Sequence, residues 1–382
     1  MSSVKPLKDL TVLEIGHSIA APYAGMILGE LGARVVKLEN PRTGDYARDW
    51  GPPFAEGAAT TFHSVNRAKE GITVDLGNAE EVERLKAFIR DEVDVVLHNL
   101  KFGAPDKYGL GAAELVAMKP SLIYCNLGAF GAQGPLRERP GYDPLMQAFG
   151  GLMSIMGEDG RPPVRVNVSM VDLATGMWAV IGILAAVNER RSTGKGGVVD
   201  TSLYETALAW MTTPLASYAV SGNLPKRRGS GTAEIVPYQA FPVTDGHIMV
   251  AAGNDNLFRR LARTVEQPGL AEDPRFRTNK DRVVNRGELI PVLEKIFARE
   301  SSGYWLPRLE ADGIPCAPLQ TLDQVVKHPQ TAALGMIQKS ADGRLTLMGI
   351  PLSFDGKRPP FERKAPALGE HNEKVLKRSK HK

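Results

Sequence analysis

Short apolar runs alternate with longer amphipathic segments along the first 130 residues, and this alternation limits the fold more than any other feature. The apolar runs predict buried strands, and the segments between them have the length and periodicity of helices. Strands joined by helices through short connections form a parallel sheet that is covered on both faces. The predicted strands are residues 12–15, 34–38, 94–97 and 122–125, and the predicted helices are residues 20–31, 79–90 and 112–118.

A second region follows a change in composition at residues 221–231, where Gly, Ser, Pro and basic residues predict a linker. Beyond it, strand and helix patterns follow one another at short intervals, and a strand-like segment near residue 345 predicts a return to the first lobe. We therefore expect an α/β protein with a large Rossmann-like parallel-sheet lobe and a smaller α+β lobe. The large lobe comprises residues 1–220 and 330–382, and the small lobe with its linkers comprises residues 221–329.

The distribution of charge argues against a nucleic-acid-binding protein. The formal net charge is +4, and the five Lys and Arg residues that follow His371, set against Glu373, account for all of it. A protein that binds nucleic acid carries its positive charge as a stripe on the folded surface. We therefore expect no nucleic-acid partner.

The sequence predicts neither membrane insertion nor secretion. Its most hydrophobic stretch, residues 173–187, is shorter than the roughly 20 residues that span a bilayer, so it predicts a core helix. Residues 1–9 lack the apolar region of a signal peptide. Cys125 and Cys316 lie in apolar runs and are expected to be buried thiols, as in a reducing compartment. We expect a cytoplasmic protein without a membrane partner.

Basic residues follow the predicted strands, at the edge where a parallel sheet binds its ligands. Lys and Arg at that edge, together with turns that expose backbone N–H groups, suit a phosphorylated ligand. The glycine-rich signatures of dinucleotide and ATP sites do not occur at residues 16–22 or 193–196. An enzyme that activates carboxylic acids without ATP takes the energy from an existing thioester. The basic residues lie in segments 37–45, 66–76, 98–109 and 134–143.

Asp172 stands where a polar break gives way to the long apolar segment, in the motif Val171-Asp172-Leu-Ala-Thr-Gly176. An aspartate at the start of a helix is usually an N-cap. The helix dipole would also keep such a carboxylate ionised. An ionised carboxylate can act as a covalent nucleophile, so both roles are open for this residue.

This motif, the nearby Gly141-Tyr142-Asp143 and the basic segments resemble the class III coenzyme A transferase family, which includes formyl-CoA transferase and carnitine CoA-transferase. The resemblance extends from Leu7 to Asn372. It implies that Asp172 is the catalytic nucleophile, that anhydride and thioester intermediates form on it, and that an interlocked ring-like homodimer is assembled. It also implies a coenzyme A thioester as substrate, with no permanently bound cofactor and no metal. The residues implied at the coenzyme and substrate are Ile19, Ala20, Asn40, Val74, Asn99, Lys101, Lys107, Tyr108, Arg139 and Tyr142.

Tyr142 separates two activities of that family. Relatives that racemise α-methylacyl-CoA have His at this position, and it works with the aspartate as a pair of bases. Tyrosine, with a pKa of about 10, is a poor base near neutral pH but donates hydrogen bonds. Tyr142 therefore favours a CoA-transferase. An acyl-CoA racemase or epimerase is the alternative, and a CoA-binding protein without activity is the third hypothesis.

Several segments resemble the branch of the family that contains the succinyl-CoA–glutarate CoA-transferases, which implies succinyl-CoA as donor and a small dicarboxylic acid as acceptor. They are residues 48–53, 235–241, 251–254 and 273–279. Two residues and one loop differ from formyl-CoA transferase and argue against a formyl or oxalyl substrate. They are Ile19, Asn40 and Gly229-Ser-Gly231, which stand in place of a Gln, an Arg and a four-glycine loop.

Arginine side chains are the candidates for holding the acceptor, because their forked guanidinium groups match carboxylates. Arg48 and Arg67 are predicted to bind the second carboxylate of a dicarboxylic acid, and Arg165 is a further candidate. His17, beside the first strand, is a candidate contact of the coenzyme.

Overall fold

The computed structural model describes residues 5–376, so four of the basic tail residues lie outside the described part of the chain: Lys377, Arg378, Lys380 and Lys382. The chain forms two compact units. The first comprises the described parts of residues 1–151, 166–212 and 329–382, and the second comprises residues 152–165 and 213–328. The second unit thus contains a segment, residues 152–165, that the sequence prediction assigned to the large lobe. This segment is hydrogen-bonded to the predicted linker: the backbone N–H of Gly229 donates to the carbonyl of Gly157 at 2.9 Å.

The first unit is built on a six-stranded sheet in the order β5-β2-β1-β6-β7-β8, and every neighbouring pair in it is parallel. The predicted parallel sheet is therefore confirmed. The strands of the chain are β1 Thr11–Ile15, β2 Arg34–Glu39, β3 Phe54–Ala55, β4 Ala58–Ala59, β5 Lys69–Thr73, β6 Val95–His98, β7 Ile123–Gly128, β8 Gly197–Ser202, β9 Tyr238–Val243, β10 Gly246–Ala251, β11 Cys316–Pro318, β12 Ile337–Lys339 and β13 Thr346–Met348.

Helices connect the strands of the sheet, and two short 3-10 helices, Tyr46–Asp49 and Pro105–Tyr108, lie in the loops. The α-helices are α1 Ala20–Glu30, α2 Thr60–Asn66, α3 Ala79–Glu92, α4 Ala112–Met118, α5 Asp143–Phe149, α6 Leu152–Ile155, α7 Met170–Thr193, α8 Leu203–Trp210, α9 Thr212–Ser221, α10 Asp255–Thr264, α11 Gly269–Glu272, α12 Asn279–Val284, α13 Arg286–Phe297, α14 Ser302–Ala311, α15 Leu322–Lys327, α16 Pro329–Ala333 and α17 Asn372–Leu376.

Helix α7 is the long apolar segment of the sequence. It ends at Gly194, whose φ of 69° is a left-handed conformation that glycine adopts without strain. By length and composition alone this helix could cross a membrane. One face of it is buried in the first unit through residues such as Ala179, Val180 and Ile183, while Trp178 and Ile181 are exposed.

Strand β5 was not predicted, because its sequence, Lys69-Glu-Gly-Ile-Thr73, is polar at the start. Both charged side chains are nevertheless buried, and each has a partner from another strand. Lys69 Nζ lies 2.6 Å from Glu14 Oε2, and Glu70 Oε2 accepts a hydrogen bond from Arg34 Nε at 3.1 Å. Ion pairs thus accompany the burial of the first two residues of this strand, and an apolar pattern cannot reveal such pairs.

A group of four buried charges lies beneath the loop that follows β1. Lys37 Nζ lies 3.0 Å from Glu14 Oε1 and 2.8 Å from Asp45 Oδ2, and Lys69 pairs with the other oxygen of Glu14. All four side chains are fully enclosed, so the prediction that Lys37 and Lys69 serve a phosphate is wrong. Burial alone would lower the pKa of Lys37, but the two carboxylates outweigh it and raise that pKa.

The second unit contains a three-stranded antiparallel sheet in the order β11-β10-β9, with helices packed on it. Its core includes Phe241, Phe297 and Trp305, and the Phe297 ring centre lies 4.9 Å from that of Phe241 and 5.0 Å from that of Trp305. Cys316 is half-buried at the edge of this core, whereas Cys125 in β7 is fully buried.

Candidate active site

The sheet order places a crevice beside β1. When the six strands are numbered by their order in the chain, their order across the sheet is 3-2-1-4-5-6. The first three strands thus extend the sheet to one side and the next three extend it to the other, and the strand order reverses between β1 and β6. Ligands of doubly wound sheets bind at this reversal, outside the carboxyl ends of the strands. A cavity of about 270 Å³ lies there, and its walls come from the ends of β1, β6, β7 and β8 and from the starts of α1 and α7.

Side chains hold the backbone of the loop after β1 in place. Asn99, which follows β6, accepts a hydrogen bond from the backbone N–H of His17 at 3.0 Å and donates one to its carbonyl at 2.8 Å. Lys37 donates to the carbonyl of Gly16, and Asp45 accepts from the N–H of Ser18. This loop forms one wall of the cavity. The buried charges beneath the loop therefore hold that wall in position.

Asp172 lies at the cavity in the first turn of α7, three residues after the N-cap position. Of the two roles left open for Asp172, the structure excludes the N-cap, because Ser169 occupies that position, and Ser169 makes no side-chain capping bond. The capping acceptor comes from another helix instead. Asp143 Oδ2 accepts hydrogen bonds from the N–H of Val171 at 2.8 Å and from that of Asp172 at 3.4 Å. The carboxylate of Asp172 is thereby left for another role.

The surroundings of Asp172 favour its neutral form. Burial, and to a smaller extent the negative charge of Asp143, raise its pKa from 3.8 to about 7. The effect of burial thus runs against the ionising effect that was expected of the helix dipole. A titratable carboxyl with a pKa near neutrality, facing a cavity, is typical of a catalytic group.

The remaining residues of the motif fix α7 against its neighbours. A methyl group added to Gly176 would lie only 2.7 Å from the carbonyl oxygen of Ala20, so only glycine allows α7 to approach α1 this closely. Thr175 Oγ1 lies 2.7 Å from the carbonyl of Val171 and 2.8 Å from Thr206 Oγ1. Ala20 and Asp172 both line the cavity, so the packing at Gly176 sets the width of the site.

Cationic and aromatic side chains surround the mouth of the cavity. Lys101, Arg137 and Arg139 are exposed there, and the Arg137 guanidinium lies 5.0 Å from the centre of the Phe102 ring. Burial lowers the pKa of His17, which keeps this ring neutral at pH 7. Three cations around an aromatic surface can bind a phosphorylated ligand with a ring system. Among residues 5–376, no group of three or more His, Cys, Asp or Glu side chains is arranged to hold a metal ion.

The structure brings seven of the candidate site residues to this cavity and places the others elsewhere. Those at the cavity are His17, Ala20, Asn99, Lys101, Arg139, Tyr142 and Asp172. Ile19 is the N-cap residue of α1. Val74 lines a separate cavity of about 310 Å³ beside α17. Asn40 is exposed and caps its own turn, while Lys107 and Tyr108 lie in the second 3-10 helix.

Neither arginine predicted to bind the acceptor lines the cavity, and each has a carboxylate partner inside the protein. Arg48 donates two hydrogen bonds to Glu39, at 2.7 and 2.8 Å. Arg67 is only 1% exposed and donates to Glu30 at 2.9 Å. Within the first unit, each of the two guanidinium groups is thus paired with a carboxylate. The third candidate, Arg165, belongs to the second unit.

Sequence reasoning did not select several residues of the site. Tyr46, Phe102 and Arg137 line the cavity, and Asp143 lies behind Asp172. Phe102 and Arg137 lie within segments that were already noted for their basic residues, so their neighbours in the sequence could have indicated them. For Tyr46, no pattern in the sequence shows that its loop folds over the end of β1.

The parallel-sheet fold, the carboxylate at the head of α7 and the cations at the mouth of the cavity suit an enzyme that acts on a phosphorylated ligand. The chain belongs to CoA-transferase family III, whose sequence model matches residues 7–372. It is therefore a class III CoA-transferase by family.

Individual relatives cover nearly the whole chain. The chain is 36% identical to succinyl-CoA:glutarate CoA-transferase of Mus musculus, over 98% of this chain and 86% of that protein. It is 34% identical to succinate–glutarate CoA-transferase of Agrobacterium fabrum, over 97% of this chain and 95% of that one. The crystal structure of a CAIB/BAIF family protein from Brucella suis superposes with a TM-score of 0.87, at 36% identity, and covers 99% of this chain and 100% of its own.

Proposed function

We propose that this protein moves coenzyme A from succinyl-CoA to a small dicarboxylic acid through covalent intermediates on Asp172. The observation that carries the proposal is the half-buried Asp172 carboxyl at the head of α7, facing the cavity at the reversal of the sheet. The names of the mouse and Agrobacterium relatives support succinate and glutarate as the acids involved. A succinyl-CoA–D-citramalate CoA-transferase of Chloroflexus aurantiacus, 32% identical, supports dicarboxylic acceptors more widely.

The proposed reaction consumes one thioester and forms another. A carboxylate oxygen of Asp172 attacks the thioester carbon of succinyl-CoA, the C–S bond breaks, and a mixed anhydride and CoA thiolate form. The thiolate attacks the aspartyl carbonyl, which releases succinate and leaves an aspartyl-CoA thioester. The acceptor carboxylate then attacks that thioester, and the thiolate returns to the acceptor's carbonyl, which regenerates the Asp172 carboxylate. The energy of the donor thioester drives each step.

Lys101, Arg137 and Arg139 supply the positive charge for the phosphates of the coenzyme in this proposal. They lie on the segments that follow β6 and β7, at the same edge of the sheet as Asp172. Tyr142 is 48% exposed at the cavity wall and can donate a hydrogen bond to a bound acid. The homodimer and the cytoplasmic location remain predictions from the sequence.

The decisive experiment incubates the protein with succinyl-CoA and a panel of dicarboxylic acids, and traps any covalent intermediate with hydroxylamine. A transferase forms new acyl-CoA species and carries the hydroxamate on Asp172. Deuterium that enters the α carbon from solvent without acyl exchange would instead indicate a racemase. CoA binding without either reaction would indicate a protein that has lost activity.

The rate of transfer is expected to depend on pH through Asp172. Because the nucleophile is the ionised carboxylate and its pKa is about 7, kcat/KM should rise as the pH increases through that value and level off above it. Initial rates measured from pH 5 to pH 9 at subsaturating succinyl-CoA test this expectation. A rate that is already constant from pH 5 upward would show that the carboxyl is ionised at the ordinary pKa of aspartate.

Replacing Arg139 by glutamine is expected to weaken donor binding about tenfold, because a charge-assisted hydrogen bond contributes about 1.5–3 kcal/mol. We expect the KM for succinyl-CoA to rise, with kcat within a factor of about three, and the effect should shrink at high salt. Arg90 provides a matched control, since it is exposed near the end of α3, just before β6 and so at the opposite edge of the sheet. An equal rise in KM for Arg90→Gln would mean that the loss reflects general charge rather than a binding site.

A further inference from the structure

Asp143 is a buried acid that the proposed chemistry does not use. It is the first residue of α5 and is only 1% exposed. Its Oδ2 accepts the N–H groups of Val171 and Asp172, and its Oδ1 accepts a hydrogen bond from Gln147 Nε2 at 2.6 Å. Every bond of this carboxylate is thus directed at the start of α7 or at its own helix.

Gln147 extends the same contact to the chain that leads into α7. Its side chain is fully buried, its Oε1 accepts the N–H of Val166 at 2.9 Å, and its Nε2 donates to the carbonyl of Val166 at 3.1 Å. Asp143 and Gln147 therefore fix both the first turn of α7 and the chain at Val166, four residues before that helix begins. No side chain of α7 itself caps this helix, since Ser169 makes no capping bond.

We propose that Asp143 is a positioning residue that holds the first turn of α7 and places a fixed negative charge behind the nucleophile Asp172. This inference rests on the proposed function, in which Asp172 attacks the thioester. A free helix N-terminus stabilises a nearby anion through its N–H groups. Here Asp143 takes up two of those N–H groups and adds a like charge, so the Asp172 carboxylate becomes more basic and therefore more nucleophilic.

The other groups at the cavity are either positively charged, which favours the ionised form of Asp172, or neutral. His17, Tyr46 and Tyr142 lie on the cavity wall, and Lys101, Arg137 and Arg139 lie at its mouth. Among these groups and the residues of α5 and α7 that pack at this point, Asp143 is the anion that faces the nucleophile. Its negative charge adds to the effect of burial in raising the pKa of Asp172.

Asp143→Asn tests the proposal, because asparagine keeps an acceptor for the N–H groups of α7 but lacks the charge. We expect the inflection of the pH profile of kcat/KM to move toward acid by roughly one unit. We also expect the limiting rate above the inflection to fall severalfold, while the melting temperature stays within a few degrees of the wild type. Asp200→Asn is the matched control: Asp200 is exposed, accepts a hydrogen bond from Asn126, and lies outside this cavity.

An inflection that is unmoved in a folded Asp143→Asn protein would overturn the proposal and leave Asp143 as a structural cap only. If that variant does not fold, Asp143→Ser offers a neutral capping residue for the same comparison. Failure of the proposed function gives a different result. In that case the wild-type protein carries no hydroxamate on Asp172, and Asp172→Ala keeps its activity whatever happens at Asp143.

Discussion

Asp172→Ala is expected to lower CoA transfer by at least about a thousandfold, because covalent catalysis depends on its single nucleophile. Replacement by alanine removes the carboxylate at the head of α7 and leaves the cations at the mouth of the cavity in place. The KM for succinyl-CoA, or its Kd measured directly, should therefore stay within a few-fold of the wild type. Initial rates with glutarate as acceptor, together with mass spectrometry after hydroxylamine treatment, measure both effects.

Asp172→Asn provides a control that preserves the shape of the side chain. It should be as inactive as the alanine variant, and it should bind succinyl-CoA. It should also raise the melting temperature by a few degrees at pH 8, and by less at pH 5. The carboxyl is mostly protonated in the folded protein below about pH 7 but already ionised in the unfolded chain above pH 4. Its ionisation therefore costs stability progressively between these values, and the cost is complete above pH 7. Substantial transfer by either variant would exclude Asp172 as the nucleophile.

Lys37→Met is expected to destabilise the protein by about 3–5 kcal/mol, the usual effect of removing one member of a buried ion group. Methionine fills a similar volume, but Glu14 and Asp45 lose the ammonium group that lies within 3.0 Å of both. The loop after β1 also loses the bond from Lys37 to Gly16. Urea denaturation followed by circular dichroism measures the change as a shift of the unfolding transition.

Lys327→Met is the matched control for this substitution. Lys327 is 78% exposed, and its contact with Asp323 spans 3.5 Å on the surface of α15. Surface pairs of this kind contribute about 0–1 kcal/mol, so the control should unfold within experimental error of the wild type. Lys37→Met/Asp45→Asn should recover part of the lost stability, because it leaves one uncompensated carboxylate fewer. Equal stability of Lys37→Met and the wild type would mean that the buried charges do not depend on one another.

The sheet could be predicted from the sequence because four of its strands are short apolar runs. Strand β1 was predicted to within one residue, as residues 12–15 for the observed Thr11–Ile15. Strand β5 was not predicted because it begins with two buried charged residues, Lys69 and Glu70. Their ion-pair partners lie 55 and 36 positions earlier in the chain. Pairing over such distances depends on which strands become neighbours, and local periodicity does not contain that information.

Part of the candidate site could be predicted from the positions of the strands and helices. Asn99, Lys101 and Asp172 follow or begin regular elements, and a parallel sheet brings such positions to one edge. The roles of Arg48 and Arg67 could not be judged from residue type alone. In the folded chain, the guanidinium group of Arg48 is paired with Glu39 and that of Arg67 with Glu30. The residue that caps α7 could not be identified from the sequence either. A cap is expected just before its helix, whereas Asp143 lies 28 positions before Val171.

The contact at Gly176 bears on how substrate choice can change within this protein. The separation between α7 and α1 is limited by backbone atoms, since the Ala20 carbonyl oxygen lies only 2.7 Å from where a methyl group on Gly176 would stand. Substituting side chains cannot bring the two helices closer together, and a larger residue at this contact would force them apart. A pocket for a longer or bulkier acid would therefore have to come from changes at the rim of the cavity, such as Phe102 and Tyr142. Such changes would leave the distance from the Asp172 carboxylate to the first turn of α1 as it is.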